Sequence, residues 1–95
     1  MRLNAAETEA IREEVRRLDP SAEIHLFGSR TDDQARGGDI DLLILSDRLA
    51  FRDVLRLRTA ILDRIGWQQL DLLVRRRDQI GEPLVALALE TGVAL

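Results

Sequence analysis

The chain has 95 residues, of which 45% are hydrophobic and 33% charged, and its formal net charge is −3 at pH 7. It contains no cysteine and one histidine, which excludes a disulfide framework, a thiolate nucleophile and a zinc site built from several such residues. The mildly acidic net charge argues against general nucleic-acid binding. No apolar run is long enough to span a bilayer, so we expect a cytoplasmic protein with no membrane partner, forming one domain over residues 1–95.

The first elements predicted along the chain are a helix and a strand. Asn4 and Glu7 have the three-residue spacing of a capping box, which predicts a helix N-terminus. Apolar side chains at helical spacing continue to Leu18, and Pro20 then ends the helix. Residues 23–27 alternate in polarity and predict the first strand.

A turn and a second strand follow. Residues 28–30 read GSR and predict a turn that opens a short helical stretch, and residues 31–38 are polar. Residues 39–45 predict the central strand. Because successive side chains of a strand point to opposite faces, Asp39 and Asp41 share one face. The other face of this strand is apolar, namely Ile40, Leu42 and Ile44.

The second half of the chain predicts a helix, a strand and a last helix. A helix from about residue 49 to 65 ends at Gly66, and its expected buried stripe is Val54, Leu55, Ile61, Leu62 and Ile65. Residues 68–74 predict a third strand. Pro83 suits the first position of a last helix, which Gly92 closes before an extended tail. This order of elements predicts an α+β fold in which a small β-sheet is flanked by helices.

The two carboxylates on the central strand indicate a cation site. At about 5 Å and an effective dielectric near 20, Asp39 and Asp41 would repel by roughly 3 kcal/mol. A divalent cation between them removes that repulsion, and hard oxygen ligands on neighbouring positions suit Mg²⁺, with Mn²⁺ as the alternative. An Asp-x-Asp pair by itself is common on solvated strands, so the prediction depends on its combination with the turn before it.

Asp71 extends this site. It lies in the otherwise apolar sequence LDLLV at residues 70–74, where an unpaired carboxylate is unfavourable. If the third strand lies beside the second, Asp71 joins Asp39 and Asp41. Three acids around two cations form the arrangement used for in-line phosphoryl and nucleotidyl transfer. The alternative for Asp71 is an edge acid that pairs with a nearby arginine.

The turn supplies candidate phosphate-binding groups. Gly28 allows close approach of the backbone to phosphate, Ser29 offers a hydroxyl and an N–H, and Arg30 a bidentate guanidinium. Arg36 is a weaker candidate for phosphate binding. We interpret His25 as structural rather than as a general base.

The three consecutive arginines at residues 75–77 are a further charged feature. Such a run is most often a solvated basic patch, and the alternative is a docking site for an acidic partner or a polynucleotide.

The chain resembles a minimal nucleotidyltransferase of the DNA polymerase β-like superfamily. Three segments carry the resemblance: LFGSR at residues 26–30, GGDIDLLI at 37–44 and LDLLV at 70–74. The resemblance covers nearly the whole chain and implies the mixed sheet of that fold. It implies nucleotide phosphate binding by Gly28 and Ser29, and metal binding by Asp39, Asp41 and Asp71. The loop between the turn and the second strand is short for the superfamily, and glycine stands at position 38 where serine is frequent.

Minimal proteins of this kind resemble the antitoxin half of bacterial toxin–antitoxin pairs, whose partner is a helical protein of the HEPN type. The resemblance implies Mg²⁺-dependent transfer of a nucleoside monophosphate, AMP from ATP, to a hydroxyl of that partner, within a homo- or hetero-oligomer. Two alternatives stay open: a non-catalytic antitoxin that binds its partner by contact alone, and transfer to a small molecule such as an aminoglycoside.

Overall fold

A computed structural model describes residues 3–28 and 39–95. The helices are α1 (Ala5–Leu18), α2 (Phe51–Ile65) and α3 (Pro83–Thr91), with a short 3-10 turn at Arg77–Gln79. The strands are β1 (Glu23–Phe27), β2 (Ile40–Leu45), β3 (Leu70–Arg75) and β4 (Val93–Ala94). The predicted α+β fold is therefore confirmed, and the predicted helices and strands in the described ranges differ from the observed ones by a few terminal residues. The short helical stretch predicted after Gly28 lies outside the described residues. Among the described helices, none has the length and apolar composition that crossing a bilayer requires.

The ends of the helices follow from local sequence. The side-chain oxygen of Asn4 accepts a hydrogen bond from the Glu7 backbone N–H at 2.7 Å, and Glu7 Oε1 accepts from the Asn4 N–H at 3.1 Å. This predicted capping box satisfies backbone donors that the helix itself cannot pair. Gly66 caps α2 with a φ of +88°, and Pro83 occupies the first turn of α3.

The sheet has the order β3-β2-β1-β4 and is mixed. β1 runs antiparallel to both β2 and β4, whereas β2 and β3 are parallel. The end of β1 and the starts of β2 and β3 consequently lie at the same end of the sheet. This shared end is where the candidate site lies.

Helices cover both faces of the sheet. α1 and α2 pack on the face that carries the larger core, whose sheet members are Ile24, Leu26, Ile40, Leu42, Ile44 and Leu70. α3 packs on the other face through Val85 and Ala88, which contact Leu43 and Leu45 of β2. Strand alternation places the side chains of Asp41 and Asp71 on this α3 face.

One buried polar junction connects the end of α1 to the end of β2. Asp19 is 2% exposed, and its Oδ2 accepts a hydrogen bond from Ser46 Oγ at 2.6 Å while its Oδ1 accepts from the Ser21 N–H at 2.9 Å. Ser46 Oγ in turn accepts from the backbone N–H groups of Arg48 and Leu49. The hydrogen bond from Ser46 lowers the pKa of the Asp19 carboxyl, although burial opposes this, with smaller contributions from Ser21 and nearby arginines.

The predicted buried stripe of α2 is partly wrong. Ile61 and Leu62 are buried as expected, but Leu55 is 53% exposed and Leu57 is the buried residue, at 1%. Leu57 lies one turn before Ile61 on the side that faces the sheet and α1. The periodicity of the sequence therefore predicts the wrong buried side of α2 at Leu55.

Candidate functional site

The predicted acids meet at one end of the sheet. In the parallel register of β2 and β3, Asp41 is the direct partner of Asp71, and neighbouring strands lie about 4.8 Å apart. Asp39 precedes β2 by one residue and is exposed, Asp41 is half-buried and Asp71 is exposed. The structure thus confirms the condition on which the role of Asp71 depended, namely that its strand lies beside the strand of Asp41.

The three carboxylates act on one another electrostatically. Burial raises the pKa of the Asp41 carboxyl, the negative charges of Asp71 and Asp39 raise it further, and a hydrogen bond with the Asp71 side chain adds to the effect. The effect of Asp71 is larger than that of Asp39. Asp41 and Asp71 are therefore the tightly coupled pair of the site, and Asp39 lies at its exposed edge.

Gly28 completes the described part of the site. It follows β1 directly with a φ of +75°, a conformation that only glycine adopts readily. Its neighbour Phe27 pairs with Asp41 across the sheet. A Cβ atom placed on Gly28 would overlap the Asp41 carboxylate, with the Asp41 Cγ only 3.2 Å away. A side chain at this position would therefore displace the Asp41 carboxylate as well as strain the turn.

The donor set fits a divalent cation, although the side chains are not gathered around one point. Within residues 3–28 and 39–95, no group of three or more acidic, histidine or cysteine side chains is placed to hold a metal ion. The fit is instead one of chemistry: Asp41 and Asp71 offer hard oxygen atoms on adjacent strands, and their mutual repulsion raises the pKa of Asp41. A cation would relieve that repulsion.

Three of the predicted nucleotide-binding or phosphate-binding residues, Ser29, Arg30 and Arg36, lie outside the described residues. His25 lies within β1, where it pairs with Leu43 of β2 and Ala94 of β4. It is half-buried and two residues away from the end of the strand that meets the acids.

Each arginine of the run at residues 75–77 makes an ion pair. Arg75 pairs with Glu82 at 3.1 Å and Arg76 with Asp78 at 3.2 Å. Arg77 pairs with Glu23 at 3.1 Å and donates to the Ser21 backbone oxygen. The run therefore connects several parts of the fold at the end of the sheet opposite to the acids.

Sequence reasoning missed one relation in the site. It assigned Gly28 to phosphate binding, but it did not recognise that Gly28 lies directly against the Asp41 carboxylate. Strand pairing alone could not have shown this, because the register that pairs Phe27 with Asp41 would place the next residue opposite Ile40, and the contact depends on the positive φ of Gly28.

A comparison with protein families identifies the chain. The family model of the nucleotidyltransferase domain matches residues 8–89, a range that includes the turn, both acid-bearing strands and most of α3. The helices and the four-stranded mixed sheet agree with the polymerase β-like nucleotidyltransferase fold. A comparison with curated proteins gives no match. The chain belongs to the nucleotidyltransferase domain family of the polymerase β-like superfamily.

Proposed function

We propose that this nucleotidyltransferase transfers AMP from ATP to a hydroxyl group of a partner protein in a Mg²⁺-dependent reaction. The observation that carries the proposal is the direct pairing of Asp41 with Asp71 on adjacent parallel strands, with Asp39 two residues before Asp41 in the sequence. Nucleotidyl transfer needs carboxylate oxygens that hold cations beside the triphosphate. The pair lies at the exposed end of the sheet, where a nucleotide and a second molecule both have access.

Asp39, Asp41 and Asp71 are the residues that would hold two Mg²⁺ ions, with Mn²⁺ as the alternative. When bound, such ions lower the pKa of an attacking oxygen and offset the charge of the triphosphate. Gly28 carries no side chain that would keep phosphate away from the backbone beside Asp41. Ser29 and Arg30 follow in the sequence as hydroxyl and guanidinium groups for the same phosphates.

The acceptor that we propose is a helical HEPN-type protein, and the chain would then serve as the antitoxin of a toxin–antitoxin pair in the cytoplasm. Exposed apolar side chains on the face of the sheet that carries the acids support a macromolecular acceptor. On the α3 side of the sheet, Leu84 is 52% exposed, Leu87 54% and the preceding Ile80 49%. Exposed apolar side chains of this size are typical of protein-binding surfaces.

The decisive experiment is a transfer assay with ATP labelled on its α-phosphate, in the presence of Mg²⁺ and the protein encoded beside this chain. We expect a mass increase of one nucleoside monophosphate on that protein, lost when Asp41→Asn replaces the wild type. Labelling of an aminoglycoside in place of the neighbouring protein would favour the small-molecule alternative. Tight complex formation without labelling, unchanged by Asp41→Asn, would favour the non-catalytic antitoxin.

Cation dependence is tested separately by calorimetric titration with ATP. We expect ATP to bind more tightly with Mg²⁺ than with EDTA, because the acids repel the triphosphate unless a cation lies between them. Equal affinities under the two conditions would contradict the assignment of the acids as metal ligands.

A further inference from the structure

α2 exposes large apolar side chains on the side that faces away from the sheet. Phe51 is 78% exposed and Leu55 53%, and they lie one turn apart on the same side of the helix. Trp67, just beyond the end of α2, is 89% exposed. Meanwhile Leu57 and Ile61 on the inner side anchor the helix in the core. The exposed side chains are thus held by a rigid element rather than by a loose segment.

Two shallow depressions follow this outer side of the helix. The first has a volume of about 420 Å³ and is lined by Leu55, Arg56, Thr59, Ala60 and Asp63. The second has a volume of about 490 Å³ and is lined by Arg58, Thr59, Leu62, Asp63 and Trp67. Since both include Thr59 and Asp63, they form one shallow trough on the surface of α2 that runs from Leu55 to Trp67.

The trough is bordered by positive charge. Arg52, Arg56 and Arg58 make no ion pair with any residue in 3–28 or 39–95. By contrast, Arg64 on the inner side of the same helix pairs with Glu13 and Glu14. One acid, Asp63, lines the trough. In a chain of net charge −3, these three arginines concentrate positive charge, unpaired within the described residues, beside an apolar surface.

We propose that this outer α2 surface, defined by Phe51, Arg52, Leu55, Arg56, Arg58 and Trp67, docks an acidic amphipathic helix of a partner protein. The apolar side of such a helix would pack against Phe51, Leu55 and Trp67. Its carboxylates would pair with the three arginines at the border. Phe51 and Trp67 lie at opposite ends of the 15-residue α2, so an amphipathic helix of about four turns lying along α2 would reach both.

A symmetric contact between two copies of this surface is unfavourable, because it would bring Arg52, Arg56 and Arg58 of one chain against the same arginines of the other. An anionic membrane also attracts arginines, and a measurement with phosphatidylglycerol vesicles distinguishes it from a partner helix. The surface lies on the α1–α2 side of the sheet and the acids on the α3 side. The proposal therefore does not depend on the proposed transfer reaction.

Trp67 provides a direct measurement of docking, because the chain contains one tryptophan and no tyrosine. The probe is a synthetic helical peptide of about 20 residues with leucine at positions i, i+3, i+4 and i+7 and glutamate at its remaining positions. A matched peptide carries lysine in place of each glutamate. We expect the glutamate peptide to shift the Trp67 emission to shorter wavelength and the lysine peptide to leave it unchanged.

Charge-reversal variants test the border. We expect the Arg52→Glu/Arg56→Glu double variant to bind the glutamate peptide at least about tenfold more weakly, as a loss of complementary charge pairs predicts. Both side chains are exposed, so the fold should be retained, which circular dichroism verifies. The matched control is Arg16→Glu, an exposed arginine on α1 that lies beside His25 and Leu95. This control and Asp41→Asn should both bind the peptide as the wild type does.

Four results would overturn the proposal. These are equal binding of the lysine peptide, no emission shift with the glutamate peptide, full binding by the double variant, and an emission shift with phosphatidylglycerol vesicles but not with the peptide. Retained peptide binding by a chain that shows no transfer would instead support the docking surface and count against the proposed reaction alone.

Discussion

The sheet face under α1 and α2 and the face under α3 differ in how far their apolar surface extends. On the first face, apolar side chains continue from one end of β2 to the other through Ile40, Leu42 and Ile44. On the second face, Leu43 and Leu45 are buried beneath α3, but the strand begins with the half-buried Asp41. An unpaired charge is unfavourable in an apolar core. Concentrating the core on one face leaves one end of the other face free for groups that repel each other.

The largest expected effect tests the core between the sheet and the helices α1 and α2. Leu57 is 1% exposed and Leu55 is 53% exposed on the same helix. Leu57→Ala should reduce the free energy of unfolding by about 2–5 kcal/mol, because it leaves a cavity in the core. Leu55→Ala should change it by less than about 0.5 kcal/mol. Urea titration measures both variants, and equal losses would show that α2 is oriented differently.

The next prediction separates stability from activity on the α3 side. Asp39→Asn and Asp41→Asn should each reduce nucleotidyl transfer at least about 100-fold, since even outer partners of metal ligands contribute 10–100-fold. Without metal, neither should lower the melting temperature, because each change removes repulsion among the acids.

The matched control for this pair is Asp78→Asn, which removes an exposed carboxylate that pairs with Arg76. Its transfer activity should equal that of the wild type. A marked fall in melting temperature for both Asp39→Asn and Asp41→Asn in EDTA would instead make these acids structural.

The third prediction concerns pH and the junction between Asp19 and Ser46. The pKa of Asp19 is lowered in the folded state, so its contribution to stability is present above the unfolded pKa and is lost as the pH falls through the folded one. Asp19→Asn should reduce the free energy of unfolding by about 1–3 kcal/mol at pH 7. The difference between the two proteins should shrink below about pH 4. A difference that stays constant from pH 7 to pH 3 would contradict this assignment.

The last prediction compares Gly28 of the candidate site with Gly66 at the end of α2. Gly28→Ala and Gly66→Ala both place a Cβ at positive φ, and each should reduce the free energy of unfolding by about 1–2 kcal/mol. Only at Gly28 would the new Cβ meet another group, the Asp41 carboxylate, since nothing lies within 4 Å of the corresponding position on Gly66. Gly28→Ala should therefore lower transfer activity strongly and Gly66→Ala should not. Equal activities would show that the contact with Asp41 is irrelevant.

The error at α2 shows the limit of periodicity. Leu55 and Leu57 are both apolar and lie on different sides of the helix, so the sequence offers two stripes that share Ile61 and Leu62. Leu57 is buried because it faces the sheet and α1, a relation that is not written in the local pattern. The exposed Leu55 then becomes part of the outer α2 surface.

The sequence by itself determined the local features of this protein: the capping box at Asn4, the stop at Gly66, and the alternation within β2 that puts Asp41 on the face opposite to Ile40. Covalent geometry and short-range hydrogen bonds fix these features wherever the segment lies. Only the tertiary structure decided that Asp71 pairs with Asp41 and that Gly28 lies against its carboxylate. Strand order and register depend on burying the apolar faces of distant segments together, and a shift of one residue would have turned either acid to the opposite face.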